Sequence, residues 1–349
     1  MRSFADLDSS IGAVPGGVVA RLSTVDAGRG SEALYVDQLP GLLKELAESA
    51  RVESVIASSA IEGIVVEQAR AERIVRGADQ RLRVRSEKEL AGYRDALDYL
   101  FQDDPGDLSV GLVLHLHRLL FVRTGGGGGQ FKTADNLVVD RHADGTQSVR
   151  FTPVSHQDAP AYMAELADRY RAEQHGGHHH HALLVGLFAL DFLTIHPFAD
   201  GNGRLARLLS TRLLSQVGYG VGRYVSLEGL LYERRDAYYD ALAASTVGWH
   251  DGTHDPWPWL GFFVDVLADA YELFAARATD RRSGVSKQDR VRNYVLNHAG
   301  PSFEMADVRR AIPGVSDQTV RLVLRELKEQ GCVKPSGVGR GTKWVRIDS

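Results

Sequence analysis

Apolar residues recur three and four positions apart along most of the chain, a spacing that places them on one face of a helix. The first third of the chain shows this spacing in five segments, which we predict as helices: Leu39–Ala50, Arg51–Gly63, Glu67–Gly77, Ser86–Phe101 and Asp107–Phe121. Residues 1–30 lack the spacing and are rich in glycine, serine and alanine. We therefore predict an extended arm or a loosely packed cover there.

The middle of the chain contains two runs, Ala182–Leu193 and Leu208–Leu214, that are apolar on almost every side. Such runs predict helices buried in the core. Further helices are predicted at Ala159–Glu173, Leu230–Val247 and Trp257–Ala275. Two β-prone runs flank Asp144-Gly145, a dipeptide typical of hairpin turns. The pattern therefore predicts a mainly α protein with one β-hairpin.

The C-terminal residues have a pattern of their own, which begins after an apparent linker at Arg281–Gly284. Three helical segments and then two short strands are predicted, at Asp289–His298, Met305–Ala311, Ser316–Gln330, Gly331–Pro335 and Lys343–Ile347. Ser316 is a suitable N-cap. This order resembles a winged helix with a two-stranded wing. We therefore divide the chain into an N-terminal helical region over 1–110, a core over 111–280 and a winged-helix-like domain over 285–349.

Charge is distributed unevenly between the body and the tail. The 349 residues are 44% hydrophobic and 25% charged, and the net charge of −4 argues against an overall polycation. Residues 285–349 carry twelve basic and seven acidic side chains, so the remainder has a net charge of −9. A basic tail on an acidic body suggests two parts with different partners. Candidate contacts to nucleic-acid phosphates are Arg321, Arg325, Lys334, Arg340 and Lys343. A protein–protein or dimerisation module of the same shape is the alternative.

The single cysteine, Cys332, excludes an internal disulfide and a zinc site built on paired cysteines. It fits a reducing compartment, so we expect a cytoplasmic protein. No apolar run approaches the roughly 18 residues of a membrane span, and the first residues lack the apolar core of a signal peptide. We therefore expect no membrane partner.

One segment, His196–Arg207, joins the two buried helices. Pro197 ends the first helix because proline has no N–H and disfavours a helical residue before it. Gly201 and Gly203 allow a tight turn and the close approach of a ligand. The second helix begins near Asn202 and directs unpaired N–H groups at the loop, which suits an anion such as phosphate.

Four side chains of this segment point to phosphate transfer. Arg204 and Arg207 lie three apart in the first turn of the helix, and their guanidinium groups match phosphate oxygens. Asp200 offers an oxygen ligand suited to Mg²⁺ beside a polyphosphate. His196 is the nearby side chain whose ordinary pKa permits base chemistry near neutrality. A solvated turn between two helices is the alternative, but every polar position fits one chemistry.

The segment resembles the Fic family signature, H-x-F-x-[D/E]-G-N-G-R-x-x-R, at every defined position. It differs from the kinase-like Doc branch, whose loop lacks the second glycine and the following arginine. The resemblance implies a helical Fic core and an AMPylase, which moves AMP from ATP-Mg²⁺ to a Ser, Thr or Tyr hydroxyl of a target protein. It implies that His196 is the base, that Asp200 holds Mg²⁺ and that Arg207 faces the γ-phosphate. The nucleotide-binding set that it implies is Gly201, Asn202, Gly203, Arg204, Leu205, Ala206 and Arg207.

The segment Ser58–Gly63 resembles the family's inhibitory motif, [S/T]-x-x-x-E-[G/N]. Ser58 and Glu62 are four apart on one helix face, and Gly63 suits a helix C-terminus. By resemblance, Glu62 pairs with Arg207 and obstructs placement of the γ-phosphate, while Ser58 helps to orient the helix. A surface helix that ends at glycine is the alternative.

The predicted hairpin stands where Fic proteins carry a flap that positions the target segment by strand addition. Its candidate residues are Lys132, Leu137 and Val138, and a plain surface ribbon is the alternative. The family usually has arginine where Lys132 stands, so a bidentate contact is not expected there.

Tyr232, Tyr238 and Tyr239 correspond to a Tyr-Tyr helix near the nucleotide base in relatives, although a role in core packing is equally compatible with the pattern. The run Gly125–Gly129 predicts a flexible loop, and no Lys-Ser/Thr follows to make it a P-loop. We interpret His115 and His117 as ordinary helix histidines. The run His178–His181 is predicted to be a solvated loop that binds metal only opportunistically.

Three functions are compatible with these features. The first is a self-inhibited protein adenylyltransferase that uses ATP and Mg²⁺. The second is a de-AMPylating Fic enzyme, in which the same Glu and Arg pair orients water. The third is a DNA-binding transcriptional regulator whose Fic core senses nucleotide. The target protein and the oligomeric state, a homodimer included, stay open.

Overall fold

The computed structural model describes residues 2–38, 40–78, 81–102, 106–141, 146–284, 287–297, 299–312, 315–336 and 343–347. The chain divides into two units, Met1–Ala275 and Ala276–Ser349. None of the described helices combines the length and the hydropathy that are needed to cross a lipid bilayer.

Helices dominate the chain up to residue 284, and the predicted mainly α class is confirmed. In chain order they are α1 Leu7–Ile11, α2 Gly16–Gln38, α3 Pro40–Ile61, α4 Gln68–Val75, α5 Arg85–Gln102, α6 Val110–Phe121, α7 Ala159–Gly176, α8 His181–Ile195, α9 Asn202–Gln216, α10 Leu227–Glu233, α11 Arg235–Thr246 and α12 Trp257–Gly284. Short 3₁₀ turns lie at Val122–Thr124 and Val221–Arg223.

Helices α8 and α9 form the centre of the first unit, as the two apolar runs predict. Nearly every side chain of α8 is buried, as are most of those of α9. Each fully buried leucine, isoleucine or phenylalanine contributes about 1.5–3 kcal/mol of transfer free energy. This burial fixes the two ends of the loop His196–Gly201, so the loop is held on a rigid base.

The predicted hairpin is confirmed and consists of β1, Val138–Arg141, and β2, Gln147–Phe151, paired antiparallel. The pairing is irregular between Val138 and Val139. The predicted turn at Asp144-Gly145 lies outside the described residues.

The predicted arm over residues 1–30 is wrong, because most of it belongs to α1 and α2. Leu22 and Val25 of α2 are buried. Gly28 lies so close to the ring of Tyr271 on α12 that an added Cβ would stand 2.5 Å from it. Small residues that permit such close packing give no apolar periodicity, and this is why the sequence did not indicate the helix.

Three other boundaries also differ from prediction. The two helices predicted between Leu39 and Gly63 are one helix, α3, and Leu230–Val247 is split at Arg234 into α10 and α11. Arg234 has φ −116° and ψ 29°, outside the helical range. The linker predicted at Arg281–Gly284 continues α12 instead.

The second unit contains α13 Lys287–Asn297, β3 Ser302–Glu304, α14 Met305–Ala311, α15 Asp317–Glu329, β4 Val333–Ser336 and β5 Lys343–Arg346. Its strands form one antiparallel sheet in the order β3-β5-β4. The predicted two-stranded wing therefore has a third strand, since Ser302–Glu304 pairs with β5. The Ser316 hydroxyl accepts a hydrogen bond from the Thr319 N–H at 3.2 Å, so Ser316 is the N-cap of α15, as predicted. Arg340 lies outside the described residues.

Candidate active site

The loop between α8 and α9 begins with an unusual backbone conformation at His196. This residue caps α8 with φ 50° and ψ 59°, and it is the only non-glycine residue in the described ranges with a positive φ. Such a conformation costs on the order of 1–3 kcal/mol and persists only where the surroundings hold it. Here the His196 N–H donates to the Phe192 carbonyl at 3.0 Å, and Pro197 prevents the helix from continuing.

The Asn202 side chain holds the loop in shape through two hydrogen bonds to the backbone of Phe198. Its Oδ1 accepts from the Phe198 N–H at 3.0 Å, and its Nδ2 donates to the Phe198 carbonyl at 2.8 Å. Gly201, with φ 85°, is the N-cap of α9 and offers no side chain to its first N–H groups. The Asn202 side chain therefore shapes the loop, while the N-terminus of α9 keeps the donors that suit an anion.

The His196 ring is set up as a proton acceptor. Its Nδ1 lies 3.3 Å from the Leu193 carbonyl, which can only accept, so Nδ1 carries the proton and Nε2 is left with a lone pair. The pKa of His196 is lowered to about 4, mainly by burial and also by the charge of Lys132, against the opposing effects of the Leu193 carbonyl, Glu62 and Asp200. The imidazole is consequently neutral at pH 7.

This lowered pKa predicts an unusual pH profile for any reaction in which His196 is the base. The neutral ring is the active form, so kcat/KM, which reports the free enzyme, should stay level between about pH 6 and 8. It should fall only below about pH 5, as the ring becomes protonated. Initial rates at saturating Mg²⁺ across this range would measure it. A fall centred near the ordinary histidine pKa of about 6.5 would contradict the assigned environment.

Arg207 is held by the end of α3. Its side chain is 4% exposed, and its Nη2 donates to Glu62 Oε1 at 2.8 Å and to the Ser58 carbonyl at 3.0 Å. Its Nε donates to the Ser58 hydroxyl at 2.9 Å. Nη1 is buried and makes no hydrogen bond within the described residues. Glu62 therefore satisfies only part of the arginine's donor set, and the predicted pairing of these residues is present.

The position of Glu62 follows from the way α3 ends. The Gly63 N–H donates to the Ala60 carbonyl and the Ile64 N–H to the Ser59 carbonyl, with Gly63 at φ 74°. These two bonds form a Schellman motif, and they set Glu62 over the start of α9. A Cβ added to Gly203 would stand 2.2 Å from Glu62 Oε1. The carboxylate thus lies against the helix end that is predicted to receive phosphate.

Arg204 faces the opposite side of the loop and is 1% exposed. Its Nη1 donates to Glu89 Oε2 at 3.0 Å, and its Nη2 lies 3.4 Å from Asp200 Oδ1. Arg204 therefore contacts the Asp200 carboxylate from the buried side of the loop. A direct contact between Arg204 and phosphate stays a prediction. Leu205 and Ala206 are buried, so only their backbone is placed to contribute.

Asp200 presents the predicted metal ligand, with its side chain 57% exposed. No group of three His, Cys, Asp or Glu side chains in the described ranges is arranged to hold a metal ion by itself. A single exposed carboxylate beside an anion-binding helix end fits Mg²⁺, which is commonly held by one or two carboxylates together with substrate phosphates.

A pocket of about 300 Å³ opens above His196 and Gly203. Its other lining residues are Glu62, Val138, Val139, Arg150, Phe151, Leu193, Tyr238, Tyr239, Leu242, Ala243 and Thr246. Two of the three predicted tyrosines, Tyr238 and Tyr239, therefore face it. Tyr232 is not among the lining residues and is 42% exposed, because the break at Arg234 places it on a different helix.

The flap residues have three different placements. Val138 lines the pocket, and Leu137 is exposed. Lys132 is buried, and its N–H donates to the Pro197 carbonyl at 2.9 Å. The Lys132 ammonium donates to Asn136 Oδ1 at 2.8 Å. Through these two bonds Lys132 connects the segment before the hairpin to the loop His196–Gly201.

Sequence reasoning missed three residues that belong to this site. Glu89 balances the buried Arg204, and Arg150 lies over the ring of Tyr239 with its Cζ 4.7 Å from the ring centroid. His117, interpreted as an ordinary helix histidine, contacts the Asp200 backbone. Nothing in the local pattern distinguishes them, because their partners lie far away in the chain.

The run His178–His181 is also more structured than predicted. His180 is the N-cap of α8, since its Nδ1 accepts from the Ala182 N–H at 3.2 Å. Its Nε2 lies 3.1 Å from Asp26 Oδ2. This part of the run therefore helps to start the helix that carries His196.

Residues 107–214 match the sequence model of the Fic/DOC family. A stretch of 120 residues is 27% identical to the protein named protein adenylyltransferase Fic from Drosophila ananassae. The stretch covers 34% of this chain and 22% of the fly protein, so the chain spans about a fifth of that relative.

Two solved structures share the fold. A Fic family protein from Desulfovibrio desulfuricans G20 matches with a TM-score of 0.64 and 20% identity, over 97% of this chain and 98% of its own. A Fic domain containing signaling protein from Bacteroides thetaiotaomicron matches with a TM-score of 0.61 and 22% identity, over 76% of this chain and 97% of its own. The chain therefore contains a Fic/DOC family domain at residues 107–214, in a fold that it shares with Fic family proteins.

Proposed function

We propose that this protein is a self-inhibited protein adenylyltransferase, which transfers AMP from ATP-Mg²⁺ to a Ser, Thr or Tyr hydroxyl of a target protein. The observation that carries the proposal is a neutral His196 beside the start of α9, where no side chain caps the first N–H groups and Arg207 is occupied by Glu62. The match of residues 107–214 to the Fic/DOC family supports nucleotide transfer in general. The transfer of AMP to a protein hydroxyl rests on the resemblance of His196–Arg207 to the Fic signature.

His196 supplies the base for the transfer. Its Nε2 takes the proton of the target hydroxyl, whose oxygen attacks the α-phosphorus of ATP. The bond from that phosphorus to the bridging oxygen breaks, and pyrophosphate leaves with the electron pair. Asp200 would hold Mg²⁺, which neutralises phosphate charge when it is bound. The N–H groups at the start of α9 stabilise the charge that develops on the phosphoryl oxygens.

The flap provides a docking edge for the target. β1 and β2 form a two-stranded sheet, so a peptide strand has an edge to which it can add through main-chain hydrogen bonds. Because Val138 and Phe151 of the hairpin line the pocket, a strand docked there would bring its hydroxyl toward His196. Recognition through main-chain groups would leave the target's side chains largely unspecified.

The proposal is tested with ATP labelled at its α-phosphate, incubated with Mg²⁺, the protein and a cell extract. Label on protein, increased in Glu62→Gly and lost when His196 is also replaced, is the expected result. Label from the γ-phosphate in place of the α-phosphate would indicate a kinase and would sink the proposal.

A second candidate function is nucleic-acid binding by residues 285–349. Helix α15 buries Val320, Val323, Leu324 and Leu327, and its opposite side exposes Gln318, Arg321, Arg325 and Lys328. Lys334 of β4 and Lys343 of β5 are exposed as well. An exposed helix face with three positive charges three and four residues apart suits contact with a phosphate backbone.

Arg321→Ala combined with Arg325→Ala should therefore weaken binding to a random-sequence DNA duplex and reduce the salt dependence. If each arginine meets one phosphate, the slope of log affinity against log salt should fall by about 2. Gel shifts at low and moderate salt would measure it, with Lys287→Ala, at an exposed residue of α13, as the matched control. Equal slopes for both variants would exclude α15 as the contact face.

A further inference from the structure

His117 connects two loops that flank the candidate active site. Its ring is 2% exposed, on the face of α6 that meets the start of α9. The Gly129 N–H donates to its Nδ1 at 2.9 Å, and its Nε2 lies 3.0 Å from the Asp200 carbonyl oxygen. The ring also stacks on Phe198, with centroids 3.8 Å apart and planes 18° apart.

These contacts assign the proton of the ring. A carbonyl oxygen can only accept, so Nε2 carries the hydrogen that binds Asp200, and an N–H can only donate, so Nδ1 is bare. Both nitrogens of His117 are consequently used, one by each loop. A buried group that loses its partner costs about 1–3 kcal/mol, so the tautomer is strongly held.

The glycine-rich loop is shaped to reach this ring. A Cβ on Gly128 would stand 2.8 Å from the His117 carbonyl and 2.9 Å from Arg118 Cα, so only glycine fits there without a shift. Gly129, at φ 83°, directs its N–H at the ring. The five-glycine run was predicted to be a flexible loop, but its last two residues, Gly128 and Gly129, pack against α6.

The second hydrogen bond of His117, through Nε2, holds the backbone of Asp200. Arg204 and Arg85 lie near its carboxylate, at 3.4 and 3.7 Å, but the side chain is more than half exposed. The hydrogen bond from His117 instead holds the backbone of Asp200, and the stacked ring holds Phe198 two residues earlier. The direction of the carboxylate is thus set from its backbone, and the carboxylate itself stays open to a cation.

We propose that His117 is a positioning residue, which joins the loop Gly125–Gly129 to the Asp200 backbone and so sets the carboxylate for its divalent cation. This inference rests on the proposed function, in which Asp200 holds the Mg²⁺ of ATP. In this role His117 acts through the Asp200 backbone and not by direct contact with nucleotide or metal.

Two amide substitutions, each of which can replace only one of the two ring nitrogens, test the inference in the full-length protein. His117→Gln can keep a donor near the Nε2 position, whereas His117→Asn keeps a group only near Nδ1 and leaves the Asp200 carbonyl without a donor. Mn²⁺ binding, measured by electron spin resonance with a non-hydrolysable ATP analogue, is the readout. His117→Asn should weaken Mn²⁺ affinity by roughly 10- to 100-fold, as is typical when the support of a metal ligand is removed. His117→Gln should retain most of the affinity.

The control is His115→Gln on the same helix, whose ring packs against Tyr99 at 4.7 Å instead. It should leave Mn²⁺ affinity unchanged. Nitrogen NMR of the histidine rings should show His117 protonated at Nε2. Equal Mn²⁺ affinity in His117→Gln and His117→Asn, or a ring protonated at Nδ1, would overturn the inference.

The two proposals fail in different ways. If AMP is transferred but the Gln and Asn variants bind Mn²⁺ alike, only the role of His117 is wrong. If Glu62→Gly transfers no AMP while the two variants still differ in Mn²⁺ affinity, the adenylyltransferase proposal fails and the positioning role stands. Unfolding midpoints of all variants would show whether a shared loss of stability explains a common effect.

Discussion

Replacing Glu62 with glycine is expected to raise the rate of AMP transfer by about 10- to 100-fold. The change frees one of the two Nη2 hydrogens of Arg207, which in the wild type binds Glu62 at 2.8 Å, while the other still donates to the Ser58 carbonyl. A hydrogen bond between charged groups contributes about 1.5–3 kcal/mol, and this energy becomes available to the γ-phosphate of ATP. The substitution also removes the Glu62 carboxylate, which lies over Gly203 and whose negative charge would repel the phosphates of the nucleotide.

The measurement is the initial rate of label incorporation from α-labelled ATP in the mutant and the wild type. Glu48→Gly is the matched control, because it places glycine at an exposed site of the same helix, about four turns before Glu62. It should cost about 1 kcal/mol of helix stability without activating the protein. An equal rate in Glu62→Gly and the wild type would show that the Glu62–Arg207 pair does not restrain the reaction.

Replacing His196 in the Glu62→Gly background should reduce AMP transfer by about 10²- to 10⁴-fold, the usual contribution of a general base. His196→Ala removes the imidazole entirely. His196→Asn is the better matched variant, because asparagine tolerates the left-handed backbone conformation that this position requires. Comparing the two separates loss of the base from backbone strain.

Binding of ATP should change little in either His196 variant, since the proposal places the phosphates against the start of α9 and Arg207. Equilibrium binding of a fluorescent ATP analogue, measured beside the transfer rate, provides this check. A transfer rate within tenfold of the Glu62→Gly protein would rule out His196 as the base. A parallel loss of nucleotide binding would instead indicate that the loop had collapsed.

Only part of the molecule was predictable from its sequence. The mainly α class and the hairpin followed from local spacing, and the end of α8 and the start of α9 followed from Pro197 and the glycines of the loop. Helix α2 did not, because its contact with α12 depends on the small Gly28 lying against Tyr271 and not on an apolar stripe. The break at Arg234, which excludes Tyr232 from the pocket, also has no local signal such as proline.

The candidate site was also only partly predictable from the sequence. Sequence alone determined the segment from His196 to Arg207, since its one proline, its glycines and its polar residues act on neighbours a few positions away, and it singled out Ser58 and Glu62 as candidates. Only the tertiary structure decided that Arg204 turns inward to Glu89, that Arg207 also donates to the Ser58 hydroxyl and carbonyl, and that His117 contacts the Asp200 carbonyl. Each of these contacts joins residues more than 80 positions apart. Apolar burial brings the residues together, and the pairs are selected because a charged or polar group that is buried without a partner costs free energy. Local spacing carries no record of such pairs.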